Sequence, residues 1–278
     1  MPSRVHTYLF GRLNLIATYN DKQQYLLAGL SPAGNIESHG FEWGFFQVRT
    51  LQVAAGPFFH GVLVKYRPRS AEEVAVPSEH LLIDEEARNR VKAKSPFFLH
   101  VPSGVIAYRP ITGQISPETF RSRFCTLFET AHDGLLVSAE IQSVQERLKL
   151  LEALTRFSFI QRISVALHPS NPRNSQRWKR TDERIKALRA VRYREEFEAK
   201  PGGPGLLIPP DDEVVDKIVM ADDGYGQASA TGRIDGHVKT ITTSTNPVAA
   251  QVPVDDDPTR ILRGLQPTLD DILRRTQE

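Results

Sequence analysis

The chain is nearly without cysteine: Cys125 is its one thiol in 278 residues. An intramolecular disulfide is therefore excluded, and a reducing compartment, the cytoplasm, is the expected location. Long apolar runs are also missing. None approaches the roughly 20 residues that span a bilayer, so no membrane association is expected. The opening MPSRVHTYLFGRLNLIA lacks a long apolar stretch followed by a small-residue cleavage site, so secretion is not expected. No repeat of fixed period occurs.

Catalytic signatures are scarce as well. With one cysteine, a zinc site would need several of the eight histidines, and these are scattered without close pairs. No G-x-S-x-G elbow is present. Gly224-Tyr225-Gly226 lacks the lysine of a phosphate loop and reads as a turn before a hairpin. Cys125 lies beside an apolar helix face, where a small buried thiol is the ordinary explanation rather than a Cys125–His132 nucleophilic pair. No cofactor, bound metal or catalytic residue is assigned on these grounds.

Apolar residues make up 40% and charged residues 24% of the chain, a globular balance. Strands are expected at Tyr8 to Ala17, Trp43 to Val53 and Phe58 to Tyr66, the last two joined at Gly56-Pro57. Phe97 to Tyr108 reads as a hairpin turning at Pro102-Ser103-Gly104. Asp84-Glu85-Glu86 reads as an exposed helical turn.

Helical periodicity follows. Ser116-Pro117-Glu118 combines a capping serine, a first-position proline and an early acid, ahead of Phe120, Phe124, Leu127 and Phe128 on one face. Leu135 to Ile141 reads as a strand, and Ser143-Val144-Gln145-Glu146 as a capping box opening a helix. Gln161 to Leu167 alternates as a strand, and Asp212 to Ala221 reads as a short helix. Ala228 to Thr243 reads as a hairpin turning at Asp235-Gly236, and the C-terminal leucines form an amphipathic segment. The expected class is a mixed α+β fold. A β-rich part (1–112) precedes an α/β part with a basic helix (113–245), then a polar linker and amphipathic C-terminal helix (246–278).

The strongest functional signal is charge. Pro172 to Lys200 carries Arg173, Arg177, Lys179, Arg180, Arg184, Lys186, Arg189, Arg192, Arg194 and Lys200 against Asp182, Glu183, Glu195, Glu196 and Glu198. This net +5 exceeds the +2 of the whole chain. A helix starting after Ser175 would gather these cations, and arginine suits bidentate phosphate contacts. Glutamates at its far end would oppose the helix dipole, which argues against a purely structural helix. Counterion release then points to a polyanion. Arg173, Arg177, Lys179, Arg180, Arg184, Lys186, Arg189 and Arg192 are the candidate phosphate contacts, and Trp178 packs inward or stacks on a base. A competing reading is a solvated helix laced by ion pairs such as Glu183 with Lys186 or Arg192 with Glu196.

Two other readings compete. Asp133 and Glu140, with Gln142 in the place of a lysine, form a short, imperfect version of a metal-dependent nuclease site. A non-enzymatic interaction subunit or inhibitor would instead dock through the aromatics of Phe41 to Phe46 and the C-terminal leucines.

Two segments, Pro96 to Phe124 and Phe159 to Ile185, resemble phage-exclusion proteins of the lambda Rex A type over about a third of the chain. The first is similar in its hairpin, aromatic-Arg pair and following helix. The second is similar in a strand ending at His168-Pro169 before a basic helix. The resemblance implies a cytoplasmic antiviral protein that binds DNA with little sequence preference, as a homodimer. It supplies no catalytic residue.

Overall fold

The computed structural model describes residues 4–16, 22–30, 34–76, 81–132, 138–146, 149–170, 176–208, 212–243 and 246–275, without the side chains of 16, 22 and 69–87. In chain order the elements are β1 (Val5–Ile16), α1 (Lys22–Gly29), β2 (Ile36–Ser38), β3 (Phe41–Val53), β4 (Gly56–Val76), β5 (Leu81–His100) and β6 (Val105–Tyr108). Next come α2 (Pro117–Ala131), β7 (Ser138–Ser143), α3 (Lys149–Leu154), β8 (Phe159–Leu167), α4 (Lys179–Ala187), β9 (Tyr193–Glu198) and α5 (Glu213–Met220). A π-helical turn, Ala221–Tyr225, leads into β10 (Gly226–Ile234), β11 (His237–Thr242), β12 (Ala249–Pro253) and α6 (Pro258–Arg275). The fold is α+β, as expected from the sequence.

An eight-stranded antiparallel sheet runs β12-β1-β6-β5-β4-β3-β2, with β7 also paired to β1. One edge of β1 thus serves two strands in succession: Val5–Leu9 takes β12 and Gly11–Ile16 takes β7. A second antiparallel sheet runs β11-β10-β8-β9. Beyond Tyr66, β4 pairs only with β5, and the two continue as a two-stranded ribbon to Val76↔Leu81.

Alternation gives the large sheet two apolar faces. On one face Leu13, Phe45, Phe97 and Tyr108 pack against Phe120, Phe124, Leu127 and Phe128 of α2. Ser116 caps that helix by accepting from the Thr119 N–H at 3.1 Å. Tyr108 and Phe120 stack at 4.2 Å. Each fully buried side chain of this stripe contributes about 2 kcal/mol. On the other face Tyr8, Phe10, Phe58 and Phe98 meet Ile261, Leu262, Leu265, Leu269 and Ile272 of α6. The C-terminal leucines therefore cover their own sheet. Trp43 and Phe45 are likewise core residues, and of that aromatic segment Phe46 is the one counted as exposed. Of the two docking surfaces expected for an interaction subunit, the C-terminal leucines are covered, while the aromatic segment keeps Phe46 exposed and Phe41 half-buried.

Several local expectations shift. The turn between β3 and β4 lies at Ala54-Ala55, and Gly56-Pro57 begins β4. Asp84-Glu85-Glu86 belongs to β5 because it pairs with Ala71 to Glu73 across the ribbon. Ser143 ends β7 and opens no helix; its hydroxyl receives Arg121, and the next helix starts at Lys149.

The second sheet carries α3, α4 and α5 on its core face. It meets the first through buried Arg12, whose Nε donates to the Asp223 carbonyl at 2.8 Å. Arg12 Nη1 donates to the Ser103 carbonyl at 3.1 Å and the Tyr225 hydroxyl at 2.9 Å. Asn14 Nδ2 reaches the Gly224 carbonyl at 3.0 Å. Glycine is required at 224, where φ is +86° and a Cβ would sit 3.0 Å from that of Arg12.

Candidate nucleic-acid interface

The basic segment is not one helix. After α4 the chain turns at Arg189, which sits at φ +51°, and Tyr193–Glu198 pairs as β9 with β8. Residues 193 to 195 alternate in burial, and Leu167↔Tyr193 and Val165↔Glu195 fix the register. The glutamates thought to oppose the dipole lie on this strand. Arg162 holds Glu198 at 3.0 Å and Glu196 at 3.7 Å, while Lys217 holds Glu195 at 2.5 Å. α4 itself has Asp182 in its first turn and Arg184 and Lys186 in its last, which agrees with the dipole.

One face of α4 is fixed to the core. Trp178 is completely buried and its indole Nε1 donates to Asp223 Oδ2 at 3.0 Å, so it packs inward and offers no stacking platform. Asp182, also fully buried, accepts from the Ser170 N–H at 2.7 Å and the Ser170 hydroxyl at 2.6 Å. Lys186 Nζ donates to the same carboxylate at 2.7 Å and to Ser170 Oγ at 2.9 Å.

The eight candidate cations separate accordingly. Arg173 lies outside the described residues. Arg177 pairs with Asp216 at 3.3 Å, Lys179 with Glu183 at 3.8 Å, Lys186 with Asp182, and Arg192 with Glu140 at 3.3 Å. Neither pair named from helical spacing, Glu183 with Lys186 or Arg192 with Glu196, is among these. Arg180, Arg184 and Arg189 are exposed and form no ion pair among the described residues, as is true of Arg194 on β9. Arg180 and Arg184 stand one helical turn apart.

Glu140, the acid of the nuclease reading, has other partners. Its Oε2 meets His168 Nε2 at 2.8 Å and Arg192, and Gln142 donates to its Oε1. Gln227 in turn donates to Gln142 Oε1 at 3.1 Å. The His168 Nδ1 faces the Val191 carbonyl at 3.2 Å, so both ring nitrogens face oxygen acceptors. The His168 hydrogen bond, aided by Arg192 and Gln142, holds Glu140 below the usual carboxylate range despite its burial. This cluster closes the seam between β7 and β8. Asp133 lies outside the described residues, and among those described no three His, Cys, Asp or Glu side chains gather as a metal site. Burial pushes the Cys125 thiol up to about 12, consistent with an inert packing residue.

The fold and this surface define an α+β protein that presents a short arginine face on a firmly anchored helix. Residues 64–266 match the family model of DUF4747, a domain of unknown function, and the chain belongs to that family. No curated protein matches it. Among the described residues no helix is long and apolar enough to cross a membrane.

Proposed function

We propose that the protein binds the phosphate backbone of DNA with little sequence preference, in the cytoplasm, as part of bacterial defence against phage. The observation that carries the reading is the exposed pair Arg180 and Arg184, with Arg189 just beyond the helix, none of them ion-paired among the described residues. The planar guanidinium fork loses less freedom per phosphate hydrogen bond than an ammonium does, which suits arginine to this contact. The resemblance to phage-exclusion proteins supports the defence role, and a homodimer would present two such faces.

The test is fluorescence anisotropy of a labelled, unrelated DNA duplex across a salt series in EDTA. Three phosphate contacts give a slope of log affinity against log salt of about −3, whereas eight give about −7. Joint replacement of Arg180, Arg184 and Arg189 by alanine removes the binding while the fold persists. Unchanged affinity in that variant refutes the assignment.

A further inference from the structure

α6 covers only part of its face of the large sheet. Beyond the helix N-terminus the face opens into a cavity of about 650 Å³, within the range of small-ligand sites. Its lining draws on six strands or their ends, and the cations on it are far apart in sequence: Arg49, Lys94 and Arg109.

A bulge builds this lining. Phe46 pairs with Val62 and Arg49 with His60, so two residues of β3, Gln47 and Val48, oppose one of β4. Without the extra residue Val48 would stand opposite His60. Directly paired residues share a face, so the bulge turns Arg49 onto the cavity side. Gln47 adopts φ +54° to do so, a strained conformation for a residue with a Cβ. Lys94 and Pro96 reach the same side through their pairing with Val64 and Val62.

None of Arg49, Lys94 and Arg109 has an ion-pair partner among the described residues, and the buried Arg109 Nε has no hydrogen-bond acceptor. Tyr8, 1% exposed, lines the cavity with its hydroxyl equally without a partner. His60 uses Nδ1 on the Phe97 carbonyl at 3.0 Å, which leaves Nε2 for another partner. Asp255 and Asp256 also line the cavity, just before Pro258; Asp255 is engaged by Arg260 at 3.6 Å and by the Asp257 N–H at 2.8 Å.

We propose that this cavity is a binding site for a small phosphorylated ligand of nucleotide size, with Arg49, Lys94 and Arg109 receiving its phosphate. Three like charges around one cavity repel one another until an anion arrives. The N-terminus of α6 also borders the cavity at Pro258, but the Asp257 carboxylate already caps it by accepting from the Thr259 N–H at 2.9 Å, so the site rests on the three side-chain cations. The histidines register the same field. Burial first, then Arg109, holds His6 below the ordinary histidine range; burial, with a smaller push from Arg49, does so for His60 against its Phe97 bond. Val62 and Ile261 give an apolar wall for the remainder of the ligand. This site is distinct from the α4 face and stands whether or not DNA binds there.

The test is calorimetric titration of the full chain with inorganic phosphate and, separately, AMP, GMP, CMP and UMP, up to about 10 mM. At least one of the five probes is expected to bind. The double variant Arg49→Ala/Lys94→Ala changes two exposed side chains and should keep the unliganded melting temperature. Its affinity should fall at least about tenfold, since each lost charged hydrogen bond is worth about that factor. The Arg180→Ala/Arg184→Ala variant should bind as the parent does. Silence with all five probes overturns the proposal. So does binding that survives Arg49→Ala/Lys94→Ala, or that is lost only on altering Arg180 and Arg184.

Discussion

Two groups of cations divide the molecule. One is dense in sequence, Pro172 to Lys200, and much of it is spent internally: Lys186 secures Asp182, Arg192 secures Glu140 and Arg177 meets Asp216. The other is sparse in sequence, at positions 49, 94 and 109, yet strand pairing sets these residues around one cavity with no carboxylate in ion-pair reach among the described residues. Charge counted along a chain measures composition. Charge available to a ligand is what remains after the fold has paired its own groups, and by that measure the sparse group keeps a larger share.

The comparison breaks most severely at Asp182. If the dense group is chiefly internal, Asp182→Ala removes the acceptor shared by Lys186 and the Ser170 donors. Lys186 is partly exposed and can turn to water, so the loss is chiefly that of the acceptor for the buried Ser170 donors, about 1–3 kcal/mol. Urea unfolding should register that loss. A change below about 1 kcal/mol would mean that α4 is held by packing alone and that its cations are less committed than their geometry indicates.

The DNA face offers the next contrast. Arg180→Ala/Arg184→Ala should lower the magnitude of the salt slope by about 2, one contact each, whereas Arg192→Ala should leave it nearly unchanged. Equal effects from the two variants would show that the ion pair with Glu140 yields to DNA, and the division between engaged and available arginines would fall.

Much of the fold was legible because the helices and strands carry their own periodicity. The Ser116 cap and its phenylalanine stripe, the Gly104 turn and the Asp235-Gly236 hairpin all lie where local rules place them. The basic segment misled because helical spacing and arginine content hide a strand: Tyr193 and Glu195 become period-two residues only when β8 supplies partners. The cavity was invisible for a different reason. Nothing near Arg49 in sequence announces a bulge, and only the pairing of Arg49 with His60 shows that these side chains share a face.

The seam between the sheets sharpens the comparison through pH. The folded state depresses Glu140, chiefly through the His168 hydrogen bond, so the pair stabilises the protein fully above the ordinary glutamate range. That stability is lost as pH falls through the lower folded value. Glu140→Gln should therefore unfold more easily than the parent near neutrality, and the difference should shrink as pH falls below 4. A difference that stays constant across that range would mean that the glutamate acts through its shape and hydrogen bonds rather than its charge.

The smallest effect belongs to Lys179. Its partner Glu183 lies 3.8 Å away, both side chains are about half exposed, and the two are spaced i, i+4. Such pairs are worth about 0.3–0.5 kcal/mol and fade with salt. Lys179→Ala should shift the urea midpoint barely above error, and DNA affinity should fall by less than with Arg180→Ala, because Glu183 already cancels much of its field. Should Lys179→Ala instead weaken binding as much as Arg180→Ala, the approaching phosphate must displace Glu183. Exposed ion pairs on α4 would then count as available charge, and the distinction between the two cation groups would narrow to the buried pairs alone.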